Sequence, residues 1–315
     1  MKKATFASLL LLWVPAAWAA ESPLGELDER ILGNAVEALG TTDSDHFYSA
    51  RLRAGILLRH QSAYDFAAVG IGAARYEQRD WATDRYSIVG ALRKVERATG
   101  AGVVASVGVT ETVDRWRIIA DATWNARLSP STGFELIGQR DVVETRAGLE
   151  AGTMSNFVAA SVDYAASERL TLIGLGGVQT YSDNNWRPHL RGRAIYTLMP
   201  EQGLSVQARA RGYESNRTEP TTYFNPERYT QADLGLRLRR SLGDWRVLAA
   251  AGIGQEDVER VARNETYYLE ARGERSFGNN LWLALSYALD HSSASDSASG
   301  DYTWHYFRAV LVIPF

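Results

Sequence analysis

The chain has 315 residues, with 34 Lys and Arg against 37 Asp and Glu and a formal charge of -3, a balance that gives no argument for a nucleic-acid partner. It has no cysteine, which excludes a disulfide scaffold and thiolate metal sites. Mean hydropathy is -0.24, and no stretch is apolar for the roughly 20 residues that a membrane-spanning helix needs. The first element is a leader: Lys2 and Lys3, the apolar run Ala7 to Val14, and Ala17-Trp18-Ala19 match the three parts of a secretory signal peptide, with cleavage expected after Ala19.

Residues 20–46 differ in kind from the rest of the chain. Ser22-Pro23 is suited to a helix start, Leu24, Leu27, Ile31, Ala35 and Ala38 recur at helical spacing, and Gly40 is suited to a helix end. A short periplasmic helix is expected here, with a first barrel strand as the competing reading.

From Phe47 to Phe315 the period becomes two, in segments of about 10 to 14 residues separated by turn residues. Between Arg115 and Arg127, Trp116, Ile118, Ala120, Ala122, Trp124 and Ala126 share one face, and Arg115, Arg117, Asp121, Thr123 and Asn125 share the other. The alternation recurs with Leu204, Val206 and Ala208 against Ser205, Gln207 and Arg209, then with Leu234, Leu236 and Leu238 against Asp233, Arg237 and Arg239. It continues through Trp245 to Ile253, Tyr267 to Ala271 and Leu281 to Leu289.

A soluble sandwich also alternates, and three features favour a transmembrane antiparallel β-barrel of the outer membrane instead. Tyr48, Tyr86, Trp116, Trp124, Trp186, Tyr196 and Trp245 sit at the ends of apolar stripes, as interfacial girdles do. Tight connections such as Ser241 to Asp244 alternate with long polar ones such as Asn216 to Arg228, the pattern of short periplasmic turns and longer outer loops. The last segment sets Phe307, Ala309, Leu311, Ile313 and Phe315 against Tyr306, Arg308, Val310 and Val312. An amphipathic last strand ending on Phe315 resembles the signal read by the barrel assembly machinery.

The segments number about fifteen, whereas a barrel with both termini in the periplasm needs an even number. Sixteen strands are expected, with residues 31–41 supplying the extra one; fourteen is the alternative. A wall of about sixteen strands encloses an aqueous lumen, which about eight do not. The chain is therefore expected in the outer membrane of a Gram-negative bacterium, among its lipid and lipopolysaccharide, with both termini periplasmic.

The inward faces are rich in arginine. Arg51, Arg53 and Arg59 come early, then Arg115 and Arg117 with Asp121, and Arg187, Arg191 and Arg193. Arg209 and Arg211, Asp233 with Arg237 and Arg239, Arg246, Glu270 with Arg272, and Arg308 complete the candidate pore lining. Such charges either pair across strands and solvate the wall, or form a cationic lining that favours anionic and hydroxyl-rich solutes.

His46, His60, His189, His291 and His305 have no metal-site spacing, and no metal or cofactor is expected. Asp290-His291 beside Ser292 and Ser293 is the one group to weigh as hydrolytic, but neighbours on a strand point to opposite faces. No catalytic residue is assigned.

Several segments resemble the barrels of exopolysaccharide-export porins, the family of the poly-N-acetylglucosamine export porin and the cellulose-synthase outer-membrane subunit. They are Arg140-Asp141-Val142-Val143-Glu144-Thr145, Pro200-Glu201-Gln202-Gly203-Leu204, Tyr223-Phe224-Asn225-Pro226-Glu227-Arg228-Tyr229 and Asp244-Trp245-Arg246. The resemblance runs roughly from Tyr48 to Phe315. It implies a hydrated tunnel for a polysaccharide pushed outward by an inner-membrane synthase complex, with no bond chemistry in the barrel. The tetratricopeptide array that precedes the barrel in that family has no counterpart, because about 27 residues cannot hold one repeat of about 34. Tyr223, Asn225, Pro226, Arg228 and Tyr229 form either a folded rim at the outer mouth or an ordinary turn built on Asn225-Pro226. A diffusion porin for small anionic solutes, a plugged structural barrel and an outer-membrane hydrolase stand as alternatives.

Overall fold

The computed structural model describes residues 33–62, 64–96, 98–113, 115–217, 221–258, 263–277, 281–293 and 301–314. The period-two segments form one closed antiparallel barrel of sixteen strands. The first half of the wall is β1 (Gly33–Asp43), β2 (Phe47–Ser62), β3 (Asp65–Gln78), β4 (Trp81–Val95), β5 (Gly102–Thr112), β6 (Arg115–Ser129), β7 (Thr132–Val142) and β8 (Met154–Ala165). The second half is β9 (Leu170–Tyr181), β10 (Trp186–Met199), β11 (Leu204–Glu214), β12 (Arg228–Leu242), β13 (Trp245–Val258), β14 (Asn264–Ser276), β15 (Trp282–Ser292) and β16 (Tyr302–Pro314). One short helix, α1 (Arg146–Ala151), lies between β7 and β8.

Each strand pairs with its neighbours in sequence, and β1 closes on β16 in a register running from Gly33 opposite Pro314 to Asp43 opposite Trp304. Both ends of the barrel wall therefore lie at one rim, here called the terminal rim. Gly33 to Asp43 is a strand, as the even strand number required of residues 31–41, so the helix expected over residues 20–46 is corrected where that span is described and the barrel begins at Gly33 rather than Phe47. Small residues such as Ala35, Ala38 and Gly40 satisfy a helical spacing or a strand equally well. Leaving β2 and β16 with bare edges in hydrocarbon costs several kcal/mol for each unpaired backbone group, far more than a local helix preference. Residues 1–32, including the leader and the expected helix start, lie outside the described residues, as does Phe315.

The faces separate cleanly. Leu52, Ile71, Ile118, Val158, Leu190, Leu236 and Ile253 point outward and are exposed. Tyr48, Tyr86, Trp116 and Trp186 ring the apolar band near the far rim, and Trp124, Tyr164, Tyr196 and Trp245 ring it near the terminal rim. These are the two aromatic girdles of a membrane-spanning barrel. Arg59 is a correction: a bulge between Leu57 and Arg59 shifts the phase of β2, so Arg59 faces out and pairs with Asp65 while His60 turns in.

Long connections gather at the far rim, but only from β7 onward; before that, the far rim has turns as short as Arg79–Asp80. At the terminal rim, Gly203 takes φ +69, and a Cβ there would stand 1.8 Å from the Arg239 carbonyl oxygen, so the β10–β11 turn requires glycine.

Leu236 sits near the middle of β12 on the outward face. Leu236→Arg is expected to destabilise the barrel by about 2–4 kcal/mol in phospholipid vesicles. Urea unfolding measures this, and an unchanged midpoint would mean that this face does not meet lipid.

Candidate functional site

The fifteen candidate lining residues all fall on the inward register: Arg115, Arg117 and Asp121 on β6, Arg187, Arg191 and Arg193 on β10, Arg209 and Arg211 on β11, Asp233, Arg237 and Arg239 on β12, and Arg246, Glu270, Arg272 and Arg308 on β13, β14 and β16. Arg115 stands exposed at the far tip of its strand. Several of the others meet carboxylates. Arg209 donates to Glu270 at 2.8 Å and Asp233 at 3.3 Å, and its guanidinium lies 3.4 Å from the centre of the Tyr268 ring. Asp233 also accepts from Gln231 at 2.8 Å and Thr266 at 2.9 Å. Arg246 pairs with Glu274, Arg308 with Glu37 at 2.6 Å, and Arg53 reaches Glu37 at 3.4 Å. Cross-strand pairing of this kind fixes side chains that would otherwise crowd the lumen.

The wall is not uniformly charged. Val89, Ile119, Ile137, Ile173 and Leu175 are buried on the inward faces of β4 to β9, so the lumen has an apolar sector that an arginine count does not reveal.

At the far rim β7 leaves the wall after Val142, and Val143–Thr153 turn into the lumen. Glu144, the fifth residue of the Arg140–Thr145 segment, accepts from Arg51 on β2, from the Tyr76 hydroxyl on β3 at 2.8 Å and from Arg85 on β4 at 3.1 Å. Arg85 also donates to Asp141 at 3.0 Å. The loop thus crosses from β7 to strands three to five places away around the wall. Its fold is locally specified: the Thr145 hydroxyl caps α1 by accepting from the Gly148 amide at 2.9 Å, and Gly152 ends the helix at φ +63. Leu149, Val142 and Met154 pack beneath it against Phe47, Ala74 and Tyr76. Arg140 itself faces outward and donates to the Ile118 carbonyl at 3.1 Å, serving a β6 group beyond the end of its pairing with β7.

A second loop meets the first. Thr222 joins them, its carbonyl accepting from Thr145 at 2.6 Å and its hydroxyl bonded to Thr153 at 3.0 Å. Tyr223 stacks on Tyr181 with ring centres 3.9 Å apart, and Arg187 lies about 5 Å from the rings of Tyr181, Tyr213 and Tyr223. Asn185 donates to the Tyr223 hydroxyl at 2.9 Å and to Asn225 at 2.7 Å, and Arg187 donates to the Phe224 carbonyl and to Asn225 at 3.0 Å. Burial pushes the Tyr223 phenol well above its usual range, so it stays a donor to Asp183 at 3.0 Å. Pro226 lies in the approach to β12, where Arg228 pairs opposite Glu214 and Tyr229 turns into the lumen to donate to Glu256 at 2.8 Å. The tyrosine segment is a docked rim rather than a free turn.

The terminal rim is narrowed by different means. Tyr64, in the β2–β3 turn, bonds to Arg246 on β13, and Arg93 lies between the Tyr64 and Trp282 rings at 5.2 and 5.7 Å. Leu57, Trp282, Ala284 and Val312 pack there with Phe66 and Val310. Between the two narrowings lies a cavity of about 780 Å³, lined from Ala35 and Val312 at one end to Phe47 and Tyr223 at the other.

Sequence reasoning missed Glu37, Tyr64, Arg85 and Arg93 as lumenal contacts. Arg85 and Arg93 share their parity with Val89 on β4, so the alternation itself marks them. Glu37 was hidden by the helical reading of its segment, and nothing local shows that Tyr64 reaches across to β13. Among the described residues no group of three or more His, Asp and Glu side chains is placed to hold a metal ion.

No protein-family model matches the sequence, and no curated protein matches it. Among solved structures, the barrel is similar to a bacterial polysaccharide outer membrane secretin, with a TM-score of 0.66 and 13% identity over 90% of this chain and 98% of that one. Weaker likenesses, each with a TM-score of 0.44, are to the Pseudomonas aeruginosa proteins OccK7 (OpdD), at 9% identity over 91% of this chain and 99% of that one, and OprD, at 8% over 90% and 93%. The fold is that of a sixteen-stranded outer-membrane β-barrel.

Removing the Glu144 carboxylate leaves Arg51 and Arg85 together without their shared acceptor. Glu144→Ala is expected to lower stability by up to about 3 kcal/mol and to raise single-channel conductance in planar bilayers. Conductance equal to that of the unaltered protein would mean that this loop does not set the width of the path.

Proposed function

We propose that the protein is an outer-membrane export channel for a hydrated polysaccharide or related polymer, oriented with its termini in the periplasm. The observation that carries this reading is the lining: a lumen that presents guanidinium, carboxylate, amide and hydroxyl groups along its length and holds a cavity reaching between the two rims. A sliding polymer meets many weak hydrogen bonds on such a surface and no single strong trap. The likeness to a polysaccharide outer membrane secretin, which covers nearly all of that chain, supports the same reading. The gathering of long connections at the far rim supports the orientation, since outer loops exceed periplasmic turns in bacterial barrels.

In this role the partners are outer-membrane lipid and lipopolysaccharide around the girdles, the barrel assembly machinery during insertion, and an inner-membrane synthase complex that pushes the polymer. The barrel contributes a path and no bond chemistry.

A second reading is favoured by the inward Val143–Thr153 loop, which narrows the far mouth as an internal loop does in a channel for small solutes. On that reading the lumen admits small anions by diffusion. Deletion of the gene separates the two: export requires that secreted polymer disappear while uptake of small anions stays normal. Persistence of polymer with slowed anion uptake would replace export by diffusion.

A further inference from the structure

Three lumenal guanidiniums stand together on two adjacent strands; Arg93, Arg115, Arg117 and Arg237 also lack an ion pair among the described residues, but they lie on β4, β6 and β12. Arg187 and Arg191 on β10 and Arg211 on β11 all line the central cavity, and Arg191 and Arg211 stand directly opposite one another in the strand register. Among the described residues no carboxylate lies within 4 Å of any of the three, whereas Arg209, one inward position below Arg211, has two. Like charges placed opposite on adjacent strands destabilise a sheet unless something compensates them.

The three are held to different degrees. Arg211 is fixed by Gln231 at 2.6 Å and the Tyr229 hydroxyl at 3.2 Å, and Arg187 by the Phe224 carbonyl and Asn225. Arg191 makes no hydrogen bond to any described residue; its guanidinium lies 5.9 Å from the Phe157 ring centre, half-buried beside the cavity. His189, between Arg187 and Arg191 on the inward face, is itself held by Gln179 at 3.2 Å and flanked by the Phe157 and Tyr213 rings. The result is a rigid surround with one uncommitted fork within it. A guanidinium fork matches the spacing of two oxygens on a carboxylate, sulfate or phosphate, and a cavity of about 780 Å³ is the size of a small-molecule site.

We propose that Arg191 and Arg211, with Arg187 above them, form an oxyanion-binding subsite in the lumen, so that the transported solute carries carboxylate, sulfate or phosphate groups. This rests on the reading of the lumen as a transport path and adds to it the charge class of what passes. Arg211 already faces Asp233 and Asp290 from beyond ion-pair distance, so the oxyanion supplies the counter-charge that Arg191 lacks, and Arg191 supplies the free donors.

The test is calorimetric titration of the full chain, folded in detergent, with trigalacturonate, with glucose 6-phosphate and with neutral maltotriose as control. One or both anions are expected to bind in the micromolar to millimolar range while maltotriose does not, and whichever anion binds identifies the source of the oxyanion. Arg191→Gln is expected to weaken that binding at least tenfold, and Arg191→Lys, which keeps the charge but loses the fork, to weaken it less. Absence of binding by both anions, equal binding of maltotriose, or undiminished binding by Arg191→Gln would overturn the subsite. Bilayer conductance is recorded in parallel: a conducting channel that binds no anion sinks the subsite alone, while anion binding by a chain that never conducts supports the subsite and sinks transport.

Discussion

A β-sheet in hydrocarbon has no water to satisfy its edges, so the pairing of β1 with β16 is the interaction on which everything else in this molecule depends. Register pairs running from Gly33 with Pro314 to Asp43 with Trp304 join the two ends of the wall. The seam fixes the strand number as even, sets both ends at one rim and decides which residues face inward. Glu37 shows how local this control is: its place on β1 puts its carboxylate between Arg53 on β2 and Arg308 on β16, so an ion pair on each side ties the seam from within the lumen.

Once the wall closes, its inward charges become a packing problem. A partly buried guanidinium is tolerable when it meets a carboxylate and its remaining donors find acceptors. In the β11 to β14 sector Arg209, Arg246 and Arg272 meet that condition through Asp233, Glu270 and Glu274. The β10 sector does not, because Ile173 and Leu175 on β9 present apolar groups where carboxylates would be needed. The charge pattern of the lumen comes from which strands are neighbours, and no residue count contains it.

Much of this architecture was legible from alternation alone. The outward stripes of β6, β12 and β13, the girdle aromatics and the inward arginines all obey a period of two, a signal that hydrocarbon on one side and water on the other impose strand by strand. Three features were not legible from local alternation, for separate physical reasons. The segment Gly33–Asp43 carries small residues whose spacing suits helix and strand alike, and only the even strand number, which called for a strand over residues 31–41, decides between them. A bulge at Leu57/Arg59 reverses the faces that simple alternation assigns to the end of β2. Contacts across the lumen, such as Tyr64 with Arg246 and Glu144 with Arg51, join residues 182 and 93 positions apart, and no local pattern encodes them.

The inward loop shows how a break in the wall becomes a feature of the lumen. β6 continues upward from Ala120 to Arg115 without β7 beside it, because β7 turns inward after Val142. That leaves backbone groups of β6 needing partners near an interface, and Arg140 returns its guanidinium to the Ile118 carbonyl to serve one of them. What the wall loses there, the lumen gains: the departing chain carries Glu144 to three strands on the other side, and Thr145 and Thr153 to the Thr222 rim. The two loops therefore hold each other through Thr222, while each is anchored separately to the wall, one through Glu144 and the other through Tyr223 and Asn225. The far mouth is bounded by a structure tied at several points, and widening it requires releasing an ion-pair cluster rather than moving a single side chain.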